Sequence, residues 1–553
     1  MPLRASYRWI VAKQIRCIII EKNFIYLNKL LYYCNKKGIE NMRLMTKILC
    51  TAMLISLLLP AVAEEIPVYT IADTTGDWGY PSPYLHYSRG PGYVRMSFIF
   101  DTLVWKDQNG FVPALAESWE YLKDENAYIF NLNPNAKWHD GEPFTADDVV
   151  FTINYIKEHP YQWVDSSTVD RAEKIDDHTV KIYLAKPYAP FLDQVAGTLP
   201  ILPEHIYIDV TKPEDFQDAK ALTGTGPFKL VDYNKAQGTY LYEANEDYYQ
   251  GAPKVKQLKF VKLSEEMAGP ALKRGEVDAA AVPPEVAEGL RGSFVVLEGA
   301  HDWLAKLMIN HKKEPFSDVR FRQALAYSID REKLVEIAQR GYGVPASPGL
   351  FAPDSEWYNP DVEQYAHDPE KAGELLKEMG YEKKGVFFEK DGKTLEVELL
   401  VTSSNERAGE LIKRDLEEAG IKVNMRSVDS KTLDNAVNEW NFDLALSGYG
   451  GMGGDPEILN RIIGEGYTFC SDRYIVNQTL NDLLDQEVAE MNPDRRKQIV
   501  KEVQLVYSQQ LPSLPLYYPE SFWAHNGKVD LYYTKRGIAN GIPIPLNKLS
   551  FVR

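Results

Sequence analysis

His139 and Asp140 are the residue types of a metal pair, but neighbours on a strand or turn point apart, so the pair reads as structural. Glu417-Glu418 and Asp147-Asp148 supply paired carboxylates of the kind used in general acid-base catalysis. Each pair is contiguous in sequence, however, and better suits a helix start or a solvated face. The chain has no GxSxG nucleophile elbow and no cysteine-histidine arrangement that offers a better case. HxxxH, CxxC and HExxH spacings are also absent, which disfavours a free metal ion. What remains is the loop Gly448-Tyr449-Gly450-Gly451-Met452-Gly453-Gly454-Asp455-Pro456. Its glycines let backbone approach a ligand closely, and Tyr449 offers a stacking face. A structural turn is the alternative. A nucleotide loop is disfavoured because no Gly-Lys-Ser/Thr follows. No cofactor is expected.

That loop follows a strand at Phe442–Ser447 in a half of the chain that reads as α/β. Asp368-Pro369-Glu370 opens a helix whose apolar stripe is Ala372, Leu375, Leu376 and Met379, and Gly380 ends it. Strand Leu395–Val401, a helix carrying Ala408, Leu411, Ile412 and Leu416, and the strand beginning at Ile421 form a βαβ unit. A further helix runs through Trp440, and a mainly parallel sheet is expected. The first half reads as antiparallel. Tyr128, Phe130 and Leu132 alternate along a half-buried strand, Asp140-Gly141 makes a tight turn, and Thr145 with Asp148 has capping-box spacing. Val149, Val150, Ile153 and Ile156 then share a helix face that Pro160 closes. Ile66–Asp73, Thr179–Leu184, Gly224–Tyr233, Thr239–Pro253 and Val255–Leu263 read as strand segments with their turns. The C-terminal LPSLPLYYPESFWAHN returns to strand and proline character and crosses back to the first half.

At 553 residues the chain is too long for a single core, so two or more lobes are expected. Arg43 and Lys47, an apolar run at Ile48–Leu59 and Ala61-Val62-Ala63 make a secretory signal cleaved before Glu64. The run is too short to span a membrane, and Cys50 lacks the preceding small residue of a lipid-anchored protein. Residues 1–41 read as an upstream extension from a misassigned start. Without residues 1–63 the chain keeps 52 basic and 77 acidic residues, a net charge of −25, which argues against nucleic acid or anionic membrane as partner. Only Cys470 remains, so no internal disulfide and no cysteine metal site can form.

The block ESWEYLKDENAYIFNLNPNAKWHDGEPFTADDVVF at Glu117–Phe151 resembles the signature of the family 5 extracellular solute-binding proteins. LTGTGPFKL with ANEDYYQGAPKV, then RGEVDAA, INHKKEPFSDVRFRQALAYSIDREKL and DPEKAGELLKEMGY resemble further family blocks in the right order, so the likeness spans nearly the whole mature chain. It implies an α/β, two-lobed periplasmic binding protein of type II-like fold with an additional inserted domain. The expected division is an extension at 1–41, a signal peptide at 42–63, a first lobe at 64–100, 191–305 and 525–553, an inserted domain at 101–190 and a second lobe at 306–524.

The resemblance further implies a monomeric solute-binding subunit of an ABC importer, held in the periplasm or otherwise outside the cytoplasm, which delivers cargo to a membrane permease and is not an enzyme. Cargo is a peptide or peptide-like solute, or alternatively a nickel chelate or other metallophore. A secreted hydrolase or a chaperone-like periplasmic protein is the rival class. The ligand positions it implies are Ser88, Arg89 and Gly90; Tyr161 and Trp163; His301 and Trp303; and Tyr449, Gly450, Gly451, Met452 and Asp455. A buried Arg89 guanidinium would favour a carboxylate-bearing ligand. Two departures stand out. Met452 occupies the place where peptide-binding members carry an aspartate for the ligand's α-ammonium, Asp455 serving only if the loop slips by three, and Leu446 matches a basic residue of some members.

Overall fold

A computed structural model describes residues 65–464 and 471–552. The expected extension at 1–41, the signal peptide at 42–63 and Cys470 lie outside the described residues.

Two sheets and a small inserted sheet organise the chain. The first sheet has seven strands drawn from distant stretches of sequence. Ile66–Asp73 lies in its middle, parallel to Val255–Lys262 and to Ala279–Val282. Thr239–Ala244 and Phe228–Asn234 extend it antiparallel on one side, and Phe522–His525 with Val295–Glu298 on the other. The Phe228 strand starts later than Gly224 because Gly224 and Gly226 serve another purpose. A Cβ on Gly224 would lie 2.0 Å from the Ile99 carbonyl oxygen, and the Gly226 N–H donates to that same oxygen at 2.7 Å. The GTGP turn is therefore a backbone-on-backbone lock that holds the segment after the helix Gly90–Ser97.

The inserted sheet has four antiparallel strands in the order Ala116–Leu122, Ala127–Leu132, Thr179–Leu184, Val169–Asp176. Tyr128, Phe130 and Leu132 all face its core, and the helix Ala146–Glu158 packs Val149, Ile153 and Ile156 onto it. The capping box forms in full. Thr145 Oγ1 accepts from the Asp147 N–H, and Asp148 Oδ2 accepts from the Thr145 N–H at 2.9 Å. Thr145→Ala is therefore expected to lower the stability of this sheet by about 1 kcal/mol in chemical denaturation. His139 is structural: Nε2–H donates to the Gly226 carbonyl at 2.9 Å, and burial drives its pKa down to about 4, leaving it neutral. Its neighbour Asp140 turns away to His205.

The second sheet has six strands in the order Gly343–Pro345, Ser513–Pro519, Trp303–Ile309, Leu444–Gly450, Glu396–Val401, Lys422–Ser427. It is mixed, not mainly parallel as the sequence pattern suggested. Glu396–Val401 runs parallel to both its neighbours, and the other three pairings are antiparallel. The reason is connectivity. Trp303–Ile309 brings the chain into this sheet and Ser513–Pro519 takes it out, and two such strands lying side by side must run in opposite directions. The helix expected to reach Trp440 ends at Asn438, and Trp440 adopts φ +60 to start the turn into the next strand. The return to the first sheet is complete by Phe522, which pairs with Val282, so it falls ahead of the expected boundary at residue 525.

Candidate functional site

The chain passes between the sheets in two short segments, Gly299–Asp302 and Glu520–Ser521. They run side by side, and the Gly299 N–H donates to the Ser521 carbonyl at 2.9 Å. Two adjacent connections form a hinge, and the crevice beside them is where elements of both lobes can meet one solute.

The glycine-rich stretch lies at this hinge, though its first part is strand. Leu444–Gly450 pairs through Gly450 with Trp303, so the loop proper begins at Gly451. The missing side chains are explained by protein contacts. A Cβ on Gly450 would come within 2.6 Å of the Trp303 ring, and one on Gly453 would fall 1.8 Å from Asp302 Oδ1. At Gly451, which adopts φ +84, a Cβ would lie 3.3 Å from the carbonyl oxygens of Asn540 and Gly541. The Met452 N–H donates to the Asp302 carbonyl at 3.0 Å, which completes the attachment of loop to hinge.

The structure sorts the expected site residues into three places. Trp303, Gly450 and Gly451 come together at the hinge, and Trp303 keeps 43% of its surface exposed. Tyr449 is partly buried against an apolar cluster that contains Met452, whose side chain points into the second lobe. Asp455 is likewise buried, its two oxygens accepting from Arg496 Nη1 and Nη2 at 2.9 and 2.5 Å. Leu446 sits in the apolar core, where no room exists for a charge. At a second place, Trp163 packs on Tyr93, while Tyr161 is buried behind it with its hydroxyl 3.2 Å from His86 Nε2. At the third, Ser88 and Arg89 are exposed and precede the helix beginning at Gly90. Arg89 lies 3.8 Å from Asp434 of the second lobe, a surface pair rather than the buried guanidinium envisaged from sequence. His301 Nδ1–H donates to Asp354 at 2.9 Å, and that hydrogen bond raises the imidazole pKa.

Trp163 marks a cavity of about 360 Å³ that is walled by Gln162, Trp163, Tyr188 and Gln194 on one side and by Glu457 and Arg461 of the second lobe on the other. Arg461 Nε donates to Glu457 at 2.9 Å, and Nη2 reaches across to Gln194. Among the described residues the buried Trp163 Nε1–H has no acceptor, and an oxygen of a bound solute could satisfy this donor. Glu457 and Arg461 are legible in sequence only as an i,i+4 helical charge pair. Gln194 comes from another part of the chain and gave no signal at all. A larger groove, about 780 Å³, is lined by Asp140, His205, Lys212, Phe216 and Lys220, and no residue of the second lobe lines it.

Two mixed sheets joined by paired crossovers, with polar and aromatic side chains meeting between them, define a two-lobed solute-binding protein. Residues 110–465 match the family described as bacterial extracellular solute-binding proteins, family 5 Middle, and the chain belongs to that family. It is 30% identical over 451 residues to heme-binding protein A of Haemophilus influenzae, a match covering 75% of this chain and 80% of that one. The dipeptide-binding protein of Escherichia coli is 27% identical over 435 residues, covering 73% and 80%. Among solved structures, NikZ of Campylobacter jejuni in complex with Ni(L-His) superposes with a TM-score of 0.71 at 24% identity, covering 87% of this chain and 98% of that one.

Proposed function

We propose that this protein is the extracytoplasmic solute-binding subunit of an ABC importer, which captures a peptide or peptide-like solute between its lobes and hands it to a membrane permease. The observation that carries this reading is the cavity whose opposite walls come from different lobes, with Arg461 reaching across to Gln194. Its volume of about 360 Å³ lies at the low end of small-molecule sites, roughly 300–1,000 Å³, which favours a cargo of dipeptide size over a long peptide. The likeness to a dipeptide-binding relative supports the same cargo class. No chemistry is assigned to the protein, which acts as a monomer exported by the signal at residues 42–63. Residues 64–100, 191–298 and the stretch from Phe522 onward form the first lobe in this reading, 101–190 the inserted domain and 303–519 the second lobe.

Native mass spectrometry of residues 64–553, purified from their own compartment without refolding, tests the reading. A bound mass matching a short peptide is expected. A nickel chelate or haem in its place would redirect the cargo assignment, and an empty protein showing no thermal shift with dipeptides or chelates would sink it.

A further inference from the structure

We propose that Asp302, on the hinge segment beside the exposed Trp303 indole, is the anionic anchor for a protonated primary amine on the cargo. This assignment rests on the solute-binding reading above and deepens it by naming the charge that the cargo presents at the hinge.

The argument starts from what holds Asp302. Its carbonyl accepts from Met452 and its N–H donates to the Ala300 carbonyl at 2.8 Å, so the backbone is fixed. Its carboxylate lies directly against Gly453, where any side chain would collide with it, while the neighbouring Trp303 ring lies against Gly450. Consecutive side chains on a regular strand diverge to opposite faces. Here both rest on one glycine-rich stretch, Trp303 on the last strand residue and Asp302 on the loop that follows, and its glycines are what allow it.

The carboxylate whose charge reaches Asp302 has its own donor. Asp354 accepts from His301 Nδ1–H at 2.9 Å. Among the described residues, no hydrogen bond or ion pair reaches the Asp302 carboxylate, although the side chain is only partly exposed. Desolvation, with the Asp354 charge behind it, pushes its pKa up to about 6, and His301 only partly offsets this. The Tyr533 hydroxyl also faces it and adds no positive charge, while Glu520 on the second hinge segment interacts with His301 and Arg291 instead. A desolvated carboxylate without a donor lacks the partner that makes its burial favourable. An ammonium supplies three N–H donors and a full charge, and an exposed indole face beside it attracts the same cation.

The test is isothermal titration of the mature protein at pH 7.5 with a set of dipeptides carrying free amino termini and the same set N-acetylated. Wild type is expected to bind the free-amine set at least about tenfold more tightly, and Asp302→Asn to lose that preference by weakening the free-amine set alone. Trp303→Leu provides a second variant should Asp302→Asn fail to fold, and it is expected to weaken the free-amine set in the same way. Equal affinity of wild type for both sets, or an unchanged preference in a folded Asp302 or Trp303 variant, overturns the anchor and leaves the binding reading standing. Failure of wild type to bind either set overturns the peptide reading and the anchor with it.

Discussion

Arg496→Met is expected to destabilise the second lobe by about 3–5 kcal/mol, read as a shift of the denaturation midpoint. Arg496 serves two buried carboxylates at once, Asp455 with both terminal nitrogens and Glu487 at 2.6 Å. Removing it leaves two acids in an interior that has no water to solvate them. The two acids are not equivalent. Burial raises both, but Arg496 outweighs that effect at Asp455 and holds it below the usual carboxylate range. At Glu487 burial wins, with Asp455 and Glu457 adding to it, and its pKa is pushed up to about 8. Glu487 is therefore largely protonated at neutral pH, and Glu487→Gln, which puts one neutral group in place of another, is expected to cost less than about 1 kcal/mol near pH 4 and to gain on wild type as pH rises.

The sign of the pH effect follows from the same comparison. A carboxyl whose pKa is higher in the folded than in the unfolded chain binds more protons when folded. Its stabilising contribution is complete below the ordinary carboxylate value and is lost as pH rises towards about 8. Wild-type stability should fall between pH 6 and 8, and Glu487→Gln should flatten that part of the profile. An unchanged slope in the glutamine variant would contradict the assignment of this proton.

Lys306→Met is the second large effect, again about 3–5 kcal/mol. Lys306 lies on the strand that enters the second lobe, and its ammonium meets Asp472 at 2.8 Å with both side chains fully buried. Asp472 also accepts from the Tyr507 hydroxyl at 2.5 Å, which ties the strand to the long helix Pro493–Gln510. The single substitution strands a buried carboxylate. The double substitution Lys306→Met with Asp472→Leu is expected to recover most of the loss, because an apolar pair of similar volume does not incur the desolvation of two charges. Equal losses in the single and double variants would show that packing, not charge, sets the effect.

The sequence determined the local elements and the family. Capping, turn and alternation signals are short-range physics, so the Ala127–Leu132 strand, the Thr145–Asp148 cap and the helix after Asp368 appear where the residues alone place them. The glycine-rich run was visible as well, but not the purpose of its glycines. Periodicity does not report which distant side chain comes to lie on a given Cα, so the seating of Trp303 on Gly450 and of Asp302 on Gly453 was illegible. The βαβ signal also suggested a mainly parallel sheet, since local pattern carries no information about the two crossover strands that pair side by side within it. Long-range packing decided the rest. It turned Met452 and Asp455 into the second lobe, where an apolar cluster and Arg496 hold them. It also brought Gln194 to Arg461 across the crevice, a contact between residues hundreds of positions apart that exists only once two lobes face each other.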